Sequence, residues 1–257
     1  MTNNLHFFRN IVLLSVFIGS LSLVSGCSGL PTKKAGELPA QHSVDTVVRD
    51  DVTYAIDVYD PLEGFNRGMY RFNAGFDRYI FLPVVGAYAT VLPDPVEDSV
   101  SNFFNNIFEL HNLANNILQL KPAGTLDTFW RIVINTTFGV AGLFDVATEM
   151  GINERDEDFG QTLGHYGLGN GPYLVLPILG PSNLRDFTGN VVDSFAFTEA
   201  DPLDFDDHDD REMAFNLLNA IDRRHRTTFR YYDSGSPFEY ELVRMLYTKK
   251  RELDISR

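Results

Sequence analysis

The sequence predicts a mostly α-helical domain with little or no β-structure, and three observations predict it. Apolar residues recur at helical spacing, as in Phe65, Met69, Phe72, Phe76 and Ile80, which fall in one band of a helical wheel. Helix-start chemistry repeats in Asp60-Pro61-Leu62-Glu63, Pro93-Asp94-Pro95-Val96-Glu97 and Ser236-Pro237-Phe238-Glu239, each joining a capping residue and a proline to a following glutamate. No pair of alternating runs around a tight turn gives a convincing hairpin signal.

The chain opens on a leader. Arg9 supplies a lone positive charge, Ile11 to Val24 form an apolar run, and small residues follow, the pattern of a secretory signal. Val24-Ser25-Gly26-Cys27 resembles the bacterial lipobox, and Cys27 is the sole cysteine. That resemblance implies that residues 1–26 are removed and that Cys27 becomes the lipid-modified first residue, carrying diacylglycerol and a further acyl group. At about 0.8 kcal/mol per buried CH2, three acyl chains hold a protein in a bilayer almost permanently. Ser28 at the next position implies sorting to the outer membrane.

Composition narrows the function. The chain carries a net charge of -14, and loss of Arg9 with the leader makes the mature protein more acidic still. Phosphate-backbone binding needs clustered cations, so nucleic acid is excluded as a partner. With one cysteine there is no intramolecular disulfide, and stability has to come from packing. Outside the leader, no apolar run reaches the ~18 to 20 residues of a spanning helix. Yet Tyr79 to Leu120 contains no Lys or Arg, and Phe159 to Leu184 contains no formal charge. A water-exposed domain seldom has such long stretches without a cation.

Residues 27–59 mix Pro, Gly, Lys and acids without a period and read as a tether, with a short strand expected between Val44 and Val58. A single domain spans 60–257. Its first helix carries the Phe65, Met69, Phe72, Phe76 band, and Arg67, Arg71 and Arg78 share the opposite side. Those arginines make either a solvated face or contacts with lipid phosphates or an acidic partner, since guanidinium grips phosphate bidentately. The second helix has Val96, Val100, Phe103, Ile107, Leu110, Ala114 and Leu118 on one seam, opposed by Asn102, Asn105, Asn106, Asn112, Asn115 and Asn116. The amides serve either headgroups and a wet lumen or a polar network between helices. A third helix from about Thr125 carries Leu126, Trp130 and Val133, with the core the expected place for Trp130. Arg211 to Tyr232 and a segment from Phe238 to Arg251 complete the helices.

Between them lies Thr162 to Asp186, TLGHYGLGNGPYLVLPILGPSNLRD. As a nucleotide loop it lacks Lys-Ser/Thr after the glycines. As a hydrolase site, with His165 as base, it lacks a nucleophile: no serine stands in a Gly-x-Ser-x-Gly elbow. There is no HExxH, and the six histidines do not cluster at metal-ligand spacing, so no metal or other cofactor is expected. What remains is a rigid, uncharged structural loop built on Gly164, Gly167, Gly169, Gly171 and Pro172, with His165 expected to hydrogen-bond backbone. Asp201 to Arg211 is strongly acidic but matches no calcium loop and reads as a solvated turn.

Three ordered blocks then converge. DPLEGFNRGMYRFN at 60–73, LGHYGLGNGPY at 163–173 and PILGPSNLRD at 177–186, with FGVAGLFDVA at 138–147, resemble the MlaA (VacJ) lipoproteins of Gram-negative outer membranes. The resemblance implies a ring of amphipathic helices lying in the inner leaflet of the outer membrane around a central amphipathic channel. It implies association with trimeric porins, removal of misplaced outer-leaflet phospholipids, and their passage to a soluble periplasmic carrier of the MlaC kind. Phe65, Met69, Phe72, Asn73 and Phe76 are then the candidates for lining or gating the channel, and no bond chemistry is required. The alternative is an adaptor lipoprotein that binds porins without conducting lipid; a phospholipid hydrolase is a more distant one. The tether is longer than the family needs, and the acidic stretch is a second departure.

Overall fold

The computed structural model describes His42, residues 58–204 and residues 209–257. The leader, Cys27, nearly all of the tether with its expected strand, and part of the acidic stretch lie outside them. Helix α1 (Glu63–Phe76) runs through a π-helical turn (Asp77–Phe81) into α2 (Leu82–Val91). After Leu92 and Pro93 the chain bends by 118° into α3 (Asp94–Leu118). Helix α4 (Pro122–Thr137) packs along α3, and α5 (Val146–Glu149) packs on α4. Then come α6 (Phe159–His165), strands β1 (Tyr173–Leu176) and β2 (Gly180–Asn183), α7 (Leu184–Ala200), α8 (Asp209–Arg226) and α9 (Glu239–Ser256). Among the described residues no single helix is long and apolar enough to cross a membrane.

One antiparallel hairpin, for which the sequence gives no convincing signal, is the little β-structure among the described residues: Tyr173 faces Asn183 and Leu176 faces Gly180 across a Pro177-Ile178-Leu179 turn. Its signal was hidden because Pro181 sits in β2 and neither strand alternates in polarity. Helix α7 was missed as well, although Asn183 caps it by accepting from the Asp186 amide at 2.8 Å.

The expected caps at Asp60 and Asp94 are not made. Leu62 and Pro93 occupy the cap positions, with no side-chain cap bond. The Asp60 carboxylate instead accepts from Asn66 Nδ2 at 2.7 Å, Arg244 Nη1 at 2.9 Å and the Tyr240 hydroxyl, so it fastens α1 to α9. Glu97 pairs with His225 Nε2 at 2.9 Å rather than reaching back to its own helix start.

Polarity is turned outward-in. Among the described residues, 25 buried side chains are polar or charged against 10 that are hydrophobic, while 36 large hydrophobics are exposed, so hydrophobic burial is not what fills the interior. Helix α3 buries Glu97, Phe104, Ile107, Glu109, Asn112, Asn115 and Asn116, and leaves Val96, Leu110 and Leu118 of its expected seam exposed. Helix α4 buries Thr128, Arg131, Ile134 and Asn135. Trp130, expected in the core, is 51% exposed. The period was right and the inward face was the other one. A small conventional core remains where Met69, Tyr70, Tyr173, Val175 and Tyr240 meet beneath the hairpin.

Candidate functional site

The site is organised around α1, whose two sides do different work. Asn66 and Asn73 are buried. Asn66 Nδ2 donates to the Tyr173 carbonyl and the Val175 amide donates to Asn66 Oδ1, both at 2.9 Å. Asn73 Nδ2 donates to the Leu176 carbonyl at 2.9 Å, and the Ile178 amide donates to Asn73 Oδ1 at 2.8 Å. A spacing of seven returns a helix to within about 20° of the same direction and advances it about 10 Å. Tyr173/Val175 and Leu176/Ile178 lie three residues apart along extended chain, again about 10 Å. The two amides therefore cover the free edge of β1 as a neighbouring strand would.

The other side of α1 is apolar and open. Phe65 and Phe72 are about half exposed, Phe72 stacks on Phe76 at 6.2 Å, and Phe76 meets Phe81 at 5.2 Å. Met69 leaves this stripe for the core. Of the candidate set, then, Phe65, Phe72 and Phe76 lie on the outer surface, whereas Met69 and Asn73 position the hairpin. Asn66 was missed in the sequence; its signal was the seven-residue repeat with Asn73.

The three arginines also separate. Arg67 is held by Glu63 at 2.6 Å and by Glu241, and its guanidinium lies 4.4 Å over the Tyr240 ring, so it is committed within the fold. Arg71 and Arg78 are exposed, Arg78 lying 5.7 Å over the Tyr79 ring.

Inside, polar groups form one connected chain. Arg131 donates from Nε to Glu109 and from Nη1 to Thr148 at 2.8 Å. Asn112 Nδ2 donates to Glu109 at 3.1 Å, and the Glu157 amide donates to Asn112 Oδ1 at 3.0 Å. Gln119 donates to Glu157 at 2.8 Å and to Thr162 at 3.1 Å; Thr162 donates to Asn115, which donates to Asp193 at 3.1 Å. The network joins α3, α4, α6 and α7: Asn115 reaches Asp193 of α7, Asn116 reaches Thr128 of α4 at 3.5 Å, and Asn112 holds the Glu157 amide. Asn105 faces outward, and Asn102 and Asn106 are half-buried.

A second hub fastens the C-terminus. Arg251 donates to Asp158 from Nη1 and Nη2 at 2.7 Å, and to Asp186 from Nε at 2.8 Å. Tyr247 adds a hydroxyl to Asp186 at 2.7 Å. Burial pushes both carboxyls up, but the hydrogen bonds and charge of Arg251 outweigh it and hold them below the usual carboxylate range.

The glycine-rich segment is only partly loop. Gly164 lies in α6, where a Cβ would meet Ile255 at 2.5 Å, and Gly167 and Gly171 have φ of +90° and +66°. Nothing in the structure requires glycine at Gly169. Pro172 and Asn170 accept the Leu184 and Arg185 amides, seating the start of α7. His165 is exposed beside Tyr166, and it is the Tyr166 hydroxyl that bonds backbone, donating to the Leu118 carbonyl at 2.6 Å. Among the described residues no group of His, Cys, Asp and Glu has metal-site geometry.

Known proteins resemble this chain in sequence and in fold. A protein of Rickettsia prowazekii of no assigned function is 36% identical over 202 residues, covering 78% of this chain and 79% of its own. The intermembrane phospholipid transport system lipoprotein MlaA of Escherichia coli is 44% identical over 140 residues, 53% of this chain and 56% of its own. A solved structure described as the structural basis for maintenance of bacterial outer membrane lipid asymmetry matches with a TM-score of 0.65 and 31% identity, over 77% of this chain and 100% of that one. The family model for MlaA lipoproteins matches residues 58–254, and the chain belongs to that family.

Proposed function

We propose that the protein is an outer-membrane lipoprotein that takes misplaced phospholipids from the outer leaflet and passes them to a soluble periplasmic carrier, without bond chemistry. Residues 1–26 are the removed signal, Cys27 carries the acyl and diacylglycerol anchor, residues 27–59 are the tether, and 60–257 form the working domain. The helices lie in the periplasmic leaflet, ringed around an amphipathic channel, beside a trimeric porin. The observation that carries this is the outward-in polarity. Exposed Phe65, Phe72, Leu126, Trp130 and Phe138 suit acyl chains, while the buried amides and ion pairs satisfy one another away from them. Helices too short or too bent to span still bury an apolar side in one leaflet. Arg71 and Arg78 are exposed for phosphate contact.

The names of the relatives support the same reading, through phospholipid transport in the Escherichia coli protein and lipid asymmetry in the solved structure. The test is reconstitution. Protein in vesicles containing fluorescent phospholipid is given a soluble lipid-binding acceptor, and transfer is followed by dequenching. Transfer well above the protein-free rate is expected. Transfer at the spontaneous rate, with the protein folded and inserted, overturns conduction in favour of the adaptor.

A further inference from the structure

Helices α3 and α8 meet along a seam that changes character along its length. At one end Glu97 meets His225 Nε2 and Asp98 pairs with Arg226 Nη1, each at 2.9 Å. Further along, Phe104 meets Phe215 at 5.0 Å. Between them lies a cleft of about 250 Å³ whose seven lining residues are all apolar, among them Val100, Phe103, Leu143 and Leu218.

The cleft is not closed off. Leu143 and Leu218 are 37% and 38% exposed, and the residues adjacent to the lining in sequence, Phe144, Met213 and Leu217, with Val96 one turn before Val100, are exposed apolar residues as well. Its exposed rim is thus apolar at Leu143 and Leu218, and further along the same two helices, two residues before Val100 and eight after Leu218, the Asp98–Arg226 pair offers both signs, its side chains 63% and 39% exposed. A cavity of about 150 Å³ holds the six carbons of benzene, so about 250 Å³ holds roughly ten carbons of an alkyl chain. The occupant that fits a carbon-lined slot, an apolar mouth and a mixed-charge end is elongated, apolar over most of its length and zwitterionic at its tip.

We propose that this cleft is a resting site for one acyl chain of a glycerophospholipid, with its headgroup toward the Asp98–Arg226 pair. The proposal rests on the lipid-handling reading above and gives that reading a defined acyl-chain subsite. Ala214 lines the cleft, so Ala214→Phe fills it, and Leu218→Asp places a charge at its half-exposed mouth.

The experiment uses the full-length lipidated protein in outer-membrane vesicles carrying phosphatidylethanolamine with a diazirine in mid-chain. After irradiation, labelled peptides are mapped by mass spectrometry. Label on the α3 peptide around Phe103 and the α8 peptide around Phe215 is expected in the wild type and is lost in both variants. Label on α1 and α4 is expected to persist. Label on α1 or α4 but not on α3 and α8, or cleft label undiminished in a folded variant, overturns the acyl site and leaves lipid handling standing. No label anywhere overturns the lipid-handling reading itself. Leu218→Asp, at a residue 38% exposed, keeps the test where Ala214→Phe fails to fold.

Discussion

Removal of Phe72 by deletion tests the link between α1 and the hairpin more sharply than any substitution. It leaves Asn66 in place and moves Asn73 from seven residues after it to six, turning the second amide by about 100° and withdrawing it by about 1.5 Å. Asn73 then cannot reach Leu176 and Ile178, whose carbonyl and amide it pairs at 2.9 and 2.8 Å. Each lost bond is worth about 0.5–1.5 kcal/mol, and each orphaned backbone group costs about 1–3 kcal/mol where water does not replace the partner. Asn73→Ala breaks the same two bonds without the register shift, and because both are only part-buried about 2–4 kcal/mol is expected. At about 2–4 °C per kcal/mol for a domain of this size, the melting midpoint falls by roughly 4–16 °C. Circular-dichroism melts in one mild detergent measure it, with Phe72→Ala as the control for losing the exposed ring alone. The deletion should also alter outer-leaflet phospholipid and detergent sensitivity in cells, because the Phe72–Phe76–Phe81 stripe and the Ile178 turn lose their register together. An unshifted midpoint in Asn73→Ala, or unchanged asymmetry in the deletion, would refute the idea that this amide sets the position of the hairpin.

Four further outcomes are expected. In Gly189→Ala the new Cβ would lie 2.2 Å from the Gly160 nitrogen and 2.6 Å from its Cα, so α6 and α7 must part; a loss of about 1–3 kcal/mol or more is expected in urea titration, against little change for Gly68→Ala, which meets nothing within 4 Å. Wild-type stability from Asp158 and Asp186 is present above the ordinary aspartate pKa of about 3.9 and is lost as pH falls toward their depressed values. Arg251→Gln leaves the partly exposed Asp158 without its cation and the buried Asp186 with Arg185 alone as cation: about 2–3 kcal/mol is lost at neutral pH and part of it returns on acidification, so pH profiles parallel to wild type would count against the hub. Trp130, the sole tryptophan and 51% exposed, should be quenched by brominated phospholipid and spared by iodide in vesicles; the reverse pattern places α4 in water. Cys27→Ala should leave the outer-membrane fraction, and a variant still tightly bound there would show that the helices alone suffice for anchoring.

The helical periods were legible because they follow from backbone geometry: the segments expected from Pro61, Pro95 and about Thr125 are α1, α3 and α4. Their boundaries were less so. Asp60 and Asp94 have the chemistry of caps, yet Asp60 does better 180 residues away with Tyr240 and Arg244, a choice no local window contains. Helix α8 was expected to reach Tyr232 but stops at Arg226, where Arg224 turns to bond the Thr227 and Phe229 carbonyls and to grip Asp77. The hairpin escaped because half of what holds β1 is supplied by side chains of α1.

What periodicity alone could not supply is the sign of each face. A helical wheel separates Leu126 and Trp130 from Thr128, Arg131 and Asn135, but it does not say which group meets solvent, since that depends on what the solvent is. In water the apolar side would be buried. Here the amides and ions are inside, joined from Arg131 to Asp193, and the apolar side is out. A buried ion pair is weak evidence for stability, because removing two charges from water offsets much of their attraction. A protein whose surroundings are hydrocarbon has a different comparison to make: outside, its polar groups have no water to bond, so partners within the fold are what remains to them. Under the proposed placement in a leaflet, the absence of Lys and Arg from Tyr79 to Leu120 is the matching feature of the sequence, because those residues are what a water-facing helix would show. The long cation-free stretches and the outward-in core are thus one property, seen first in composition and then in packing.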